Sequence, residues 1–199
     1  MSKAVLTSIK PKYCNLIVYG HKLYEVRKTR PNFNTPFTSY IYCTKGTGVN
    51  TFNVPINNKK LLEHFLETDS MKSLNCPIGN GKVIGRFICD EIIPWHEDYA
   101  PPVPLELTGL SYSSIRRYWG SKETIYLWHI SDLKIYDKPK ELNEFYRKCE
   151  KMHCEGCEHL KYQRVNSNEY DFDCEYFGYK IPITRPPQSW CYVEELKVI

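Results

Sequence analysis

Lys22, Glu25 and Arg27 stand three and two residues apart, directly after Gly20, in the stretch GHKLYEVRK. Glu25 and Arg27 alternate as on an extended strand, so both project from one face. An ammonium between a helix-ending glycine and a strand is set to enter a cleft, where it could hold phosphate as a point charge. Desolvated, the same amine could lose a proton near neutral pH and act as a base or nucleophile. Lys22 and Glu25 are therefore the candidate catalytic residues. The candidate ligand-binding set is Lys22, Glu25, Arg27, Lys28 and Arg30, whose cations would supply phosphate contacts that give affinity without sequence choice. Two readings of Glu25 stand side by side: an ion pair with Arg27 contributing at most about 1 kcal/mol, or an acid that orients Lys22 or Arg27 toward a ligand.

A second chemical pattern lies near the C-terminus, where Cys149, Cys154, Cys157 and Cys174 form C-x4-C-x2-C-x16-C. A C-x-x-C knuckle closed by outer cysteines suits tetrahedral zinc, and four thiolates would leave no open position for an activated water. The site would be structural. His153, His159 and Cys191 are alternates for the outer ligands. The other reading is free thiols, or a redox pair at Cys154 and Cys157. Cys14, Cys43, Cys76 and Cys89 sit in apolar or loop contexts and read as inert.

These groups need elements to position them. Val5–Ile9 reads as a first strand. Pro11, then Tyr13, Leu16 and Ile17, then Gly20, read as a helix with its proline at the start and its glycine past the end. Leu23–Arg27 and Thr38–Cys43 follow as strands rich in β formers. Gly46–Asn58 reads as loop, with a short helix from Lys59 to Glu67. Lys82–Ile93 is the strongest strand signal, and its Gly85 marks a bulge or a close backbone approach. Pro94–Pro104 reads as loop, Ser111–Trp119 as a helix stopped by Gly120, and Thr124–Ile130 as a strand continuing toward Tyr136. Pro186–Val193 is again strand-like. Five or six strands with short helices between them predict an α+β class and not a doubly wound sheet. Trp128 and most tyrosines are expected in the core.

With 199 residues, the chain is long enough for one good core and a small appended lobe. Residues 1–60 carry ten cations and a single acid, Glu25, although the whole chain is only +4, so the remainder is net negative. Such a lopsided field attracts polyanions, of which nucleic acid is the commonest in a cytoplasm. No apolar run of about eighteen residues is present, so no membrane helix is expected. The first twenty residues do not read as a secretory signal. A cytoplasmic location follows as the expectation, and with it nine cysteines that are free or metal-bound and not paired.

The stretch LTSIKPKYCNLIVYGHKLYEVRK, with its helix, Gly20 and the G-x-K-x-x-E-x-R spacing of Lys22, Glu25 and Arg27, resembles the start of ASCH-domain proteins. GKVIGRFICDEI, WHISDLKIYDKPKEL and PPQSWCYV resemble the Gram-positive and phage branch of that family. The resemblance covers most of residues 4–143 and the last dozen, leaving 46–80 and 149–180 outside it. It implies a PUA-like small β-barrel over residues 1–148; the polar, Cys/His-bearing composition of 149–180 reads as a separate lobe, and the strand-like tail as a return to the barrel over 181–199. It also implies RNA or a nucleotide held in a cleft lined by the motif. Some members act as amidohydrolases on N4-acetylcytidine and others as ribonucleases. In the amidohydrolases a Lys, a Thr three residues later and a distant Glu carry the reaction. Lys22 matches the Lys, and the Thr position holds Glu25. The resulting expectation is an RNA- or nucleotide-binding module. An RNA-directed enzyme using Lys22 is the alternative, and a phage or host-defence factor that meets a protein partner is a third reading. For the cysteines, protein purified without added metal is expected to contain near one equivalent of zinc by elemental analysis; a value near zero overturns the zinc lobe.

Overall fold

A computed structural model describes residues 3–46, 80–148 and 180–196, and all structural statements below concern these residues. The chain begins with β1 (Lys3–Ile9), α1 (Pro11–Val18), β2 (Tyr24–Arg27) and β3 (Phe37–Cys43). After the segment outside the description come β4 (Lys82–Cys89), β5 (Ile92–His96), a 3-10 turn (Leu105–Thr108) and α2 (Tyr112–Trp119). They are followed by β6 (Thr124–His129), β7 (Ser131–Lys140), a 3-10 turn (Leu142–Glu144) and β8 (Tyr146–Lys148). Two late strands, β9 (Lys180–Pro182) and β10 (Trp190–Glu194), complete the described set.

The class is mixed α+β, as expected, but no closed barrel forms among the described residues. The strands sort into a five-stranded sheet in the order β10-β1-β3-β4-β7, a three-stranded sheet β2-β6-β5, and a β8-β9 ribbon. The reason lies in two breaks. β1 pairs parallel with β3, with Val5 opposite Ser39 and Ile9 opposite Cys43, so α1 and β2 form a crossover and β2 is left to pair with β6. Further on, the single long strand expected from Thr124 toward Tyr136 is two strands. Asp132 takes a positive φ of 41°, and the chain passes from the smaller sheet (β6) to the larger one (β7).

The loop expected from Pro94 is also corrected. Pro94 lies within β5, opposite Tyr126. As β5 is the outer strand of its sheet, the missing N–H costs no ladder bond. The Lys59–Glu67 helix and Cys149, Cys154, Cys157 and Cys174 fall outside the described residues. Among those described, no group of three His, Cys, Asp or Glu side chains is placed to hold a metal ion, and no helix is long and apolar enough to cross a membrane.

Every residue of β3 is buried, which means that the large sheet is covered on both faces. One face packs Val5, Ile41, Phe87 and Trp128 with Cys14 and Ile17 of α1. The other packs Leu6, Tyr40, Tyr42 and Val83 against Phe145 and Ile183, which flank the β8-β9 ribbon. A third cluster joins α2, through Ile115 and Trp119, to Val26, Ile125 and Leu127 of the small sheet. β10 pairs antiparallel with β1, Val193 opposite Ala4, so the C-terminal strand closes the edge beside the first.

Gly85 is a close approach, as its position in a β-former run suggests. A Cβ there would land on the Lys134 carbonyl oxygen, and the β4–β7 register shifts beside it. Gly85→Ala must therefore force these strands apart. A loss of about 1–3 kcal/mol is expected, read as a fall in Tm of roughly 2–10 °C for a domain of this size.

Candidate functional site

The geometry begins at the end of α1. Pro11 opens the helix and Gly20, at φ 73°, lets the chain turn where a side chain would be strained. The N–H groups of His21 and Lys22 both donate to the Leu16 carbonyl at 2.8 and 3.0 Å, and Leu23 N–H donates to Leu107 at 2.7 Å. This turn sends the Lys22 side chain inward.

Lys22 is only 2% exposed. Its Nζ donates to the Thr108 carbonyl at 2.5 Å and the Tyr24 carbonyl at 2.8 Å, and lies 3.3 Å from Glu25 Oε2. Burial pushes the amine below its usual range, and the Glu25 carboxylate opposes that shift. Two accepting carbonyls and a carboxylate close by form the environment of a charged ammonium, with two of its three hydrogens in directed bonds and the third side facing the anion. Glu25 Oε1 sits 2.9 Å from Arg27 Nη2, while Oε2, buried beside Lys22, makes no directed hydrogen bond. Arg27 then spreads over backbone: Nη2 donates to the Ser8 carbonyl at 2.7 Å, and Nη1 to the Ser189 carbonyl and hydroxyl at 3.1 Å each. The three side chains form one buried row, cation–anion–cation.

This row is the floor of a cleft of about 1280 Å³. Lys10, Lys12 and Lys45 reach it from the start of α1 and the end of β3; Lys28, Arg117 and Lys122 reach it from the end of β2 and from α2. Among the described residues Glu25 is the one acid in the lining, and two cations already neutralise it. Tyr13 of α1 and Tyr118 of α2 line the cleft with partly buried rings.

Of the candidate residues, Lys22, Glu25, Arg27 and Lys28 come together as expected. Arg30 does not. Its guanidinium lies 5.9 Å from the Tyr126 ring centroid, outside the cleft, because β2 ends at Arg27 and the chain bends at Lys28, so strand alternation no longer governs Arg30. Glu25 and Arg27 do pair, but with both side chains under 10% exposed the surface-pair estimate does not apply: desolvation offsets the attraction, and loss of one partner would leave a buried charge. Arg117, Tyr118, Lys122 and Thr108 were not singled out from sequence. They are distant in the chain, and only the packing of the 3-10 turn at the end of α1 and of α2 on the small sheet brings them in. Burial raises the thiols of Cys14 and Cys89, the latter to about 12, consistent with inert core cysteines. His129 is part-exposed, with Nδ1 2.7 Å from Asp90 Oδ1.

Removing one member of a buried charge row strands the others. Lys22→Met is expected to cost about 3 kcal/mol, a Tm fall of roughly 6–12 °C. Glu25→Gln should cost more, because it leaves two buried cations with no anion between them. Thermal unfolding of the two variants checks the order; a larger loss for Lys22→Met contradicts the row as described.

No family model matches the chain, and no curated protein matches it in sequence. Among solved structures, the ASCH protein from Zymomonas mobilis is similar, with a TM-score of 0.53 and 17% identity over 96% of this chain and 88% of that one. A Tyr-to-Phe variant of that protein aligns with a TM-score of 0.52 at 16% identity, covering 96% and 91%. A Ser-to-Ala variant aligns at 0.54 and 17%, covering 96% and 89%. Likeness at this identity is likeness of fold, and the chain shares the α+β fold of these ASCH proteins.

Proposed function

We propose that this protein is an RNA-binding module of ASCH type, with its ligand held in the cleft above Lys22, Glu25 and Arg27. The observation that carries the reading is the charge of that cleft. Among the described residues, six cations on its rim face a floor whose one carboxylate is neutralised from both sides. A concave wall of one sign concentrates polyanions. The ASCH fold and the G-x-K-x-x-E-x-R motif support the same reading. A cleft of about 1280 Å³ also exceeds the roughly 300–1,000 Å³ typical of small-molecule sites, which favours a polymer over a free nucleotide.

In this reading the roles differ from those expected of the motif alone. Lys22 and Arg27 shape and charge the floor, because the Lys22 amine and both Arg27 Nη groups are committed to Tyr24, Thr108, Ser8 and Ser189, and only Arg27 Nε is left without a partner among the described residues. Phosphate falls to the rim. Lys22 as an attacking group would first have to leave two carbonyls and a carboxylate, so binding is preferred to catalysis at this amine. The four-cysteine lobe, as a zinc site, would brace the chain.

Binding carried by these six cations should give a log–log salt dependence with a slope of about −4 for a single strand. Arg117→Gln and Lys122→Gln should each flatten it by about 0.7 without lowering Tm. Fluorescence anisotropy with a labelled RNA measures both. A slope near zero, or tight binding of an acidic protein with none of RNA, overturns the proposal.

A further inference from the structure

Tyr13 and Tyr118 share an arrangement that the charge of the cleft does not explain. Each stands on a helix, with part of its surface packed on a core cluster and part lining the cleft. Each carries a lysine over its ring: Lys12 Nζ lies 4.6 Å from the Tyr13 centroid, and Lys28 Nζ 5.2 Å from that of Tyr118. Both rings also adjoin the buried row. Lys22 Nζ is 5.5 Å from the Tyr13 centroid, and the Tyr118 hydroxyl feels the charges of Arg27 and Glu25. The cleft therefore holds two aromatic surfaces directly over its floor, each beside a cation free to move. Lys12 is exposed and Lys28 half-buried, on stems with four rotatable carbons.

An ammonium over a solvated ring is a weak pair, weaker than a nucleobase stacked on the same ring. It is also weaker than the same ammonium held against a phosphate. A base and its phosphate arriving together would thus displace each lysine from ring to phosphate with a net gain. Only an unpaired base can do this, since a duplex keeps its base faces covered. On these grounds, and resting on the RNA reading above, we propose that Tyr13 and Tyr118 are stacking platforms for unpaired bases of a single-stranded RNA. Lys12 and Lys28 take the adjacent phosphates. The site would distinguish single strands from duplexes and show little preference among bases, since stacking uses the face that every base has.

The test uses the full chain and an eight-nucleotide RNA, free or annealed to its complement. Tyr13→Leu and Tyr118→Leu keep apolar bulk on the core side and remove the aromatic face. Each should weaken single-strand binding by about 5- to 150-fold. Tyr13→Phe and Tyr118→Phe should bind like the unaltered protein, and the duplex should bind more weakly, with an affinity that no tyrosine variant changes. Photocrosslinking of a 5-bromouridine-substituted strand to the unaltered protein reads the contact without any variant, and should label peptides containing Tyr13 or Tyr118. Salt-steep RNA binding that both leucine variants retain in full, with crosslinks elsewhere, overturns the platforms and leaves the RNA reading intact. Equal affinity for strand and duplex also overturns them. Absence of any RNA binding removes both.

Discussion

A carboxylate held between two buried cations is the constraint around which this structure is arranged. Glu25 alone in the interior would be costly, and so would Lys22 or Arg27. Together they leave a row with one excess positive charge, and that excess is met by carbonyl dipoles from four separate parts of the chain: Tyr24, Thr108, Ser8 and Ser189. The row consequently ties β2 to the 3-10 turn before α2, to the end of β1, and to the segment that leads into β10. Elements from residue 8 to residue 189 meet at one point.

That junction explains how a cleft can exist between two sheets that do not close into a barrel. The cluster around Phe87 takes in Trp128 of the small sheet and so joins the two sheets, while the cluster around Trp119 and Leu127 lies between the small sheet and α2. Hydrophobic burial supplies each cluster but does not by itself fix their relative setting, because it has no direction. Directed bonds from Arg27 to Ser8 and Ser189, and from Lys22 to Thr108, supply the orientation. The two helices then face a common floor, and the rim cations of both are brought to one hollow. Charge at the floor is spent on architecture; charge at the rim is free for a ligand.

The segment-level reading of the sequence stands up where short-range physics decides the outcome. Pro11 and Gly20 bracket α1 because one lacks an N–H that the first turn does not need and the other tolerates positive φ. β3 and β4 fall where β formers cluster, and Gly85 lies at a close strand approach. Glu25 and Arg27 share a face because a strand has a period of two. Pro94 was misread, since whether a proline breaks a strand depends on whether that strand has a neighbour on the side of the missing donor, and this is a property of the sheet.

From sequence alone, then, come the α+β class, the motif residues of the floor, and the basic character of the first sixty residues. Those properties follow from local propensity, alternation and composition. The tertiary structure decided the rest: that Lys22 points inward to Thr108, that Arg30 turns away to Tyr126, and that Arg117, Tyr118 and Lys122 join the cleft. These depend on contacts between residues nearly a hundred positions apart, set by crossover and packing. No spacing along the chain encodes them, because the distance between two side chains in a fold is fixed by which elements pack together and not by how many residues lie between.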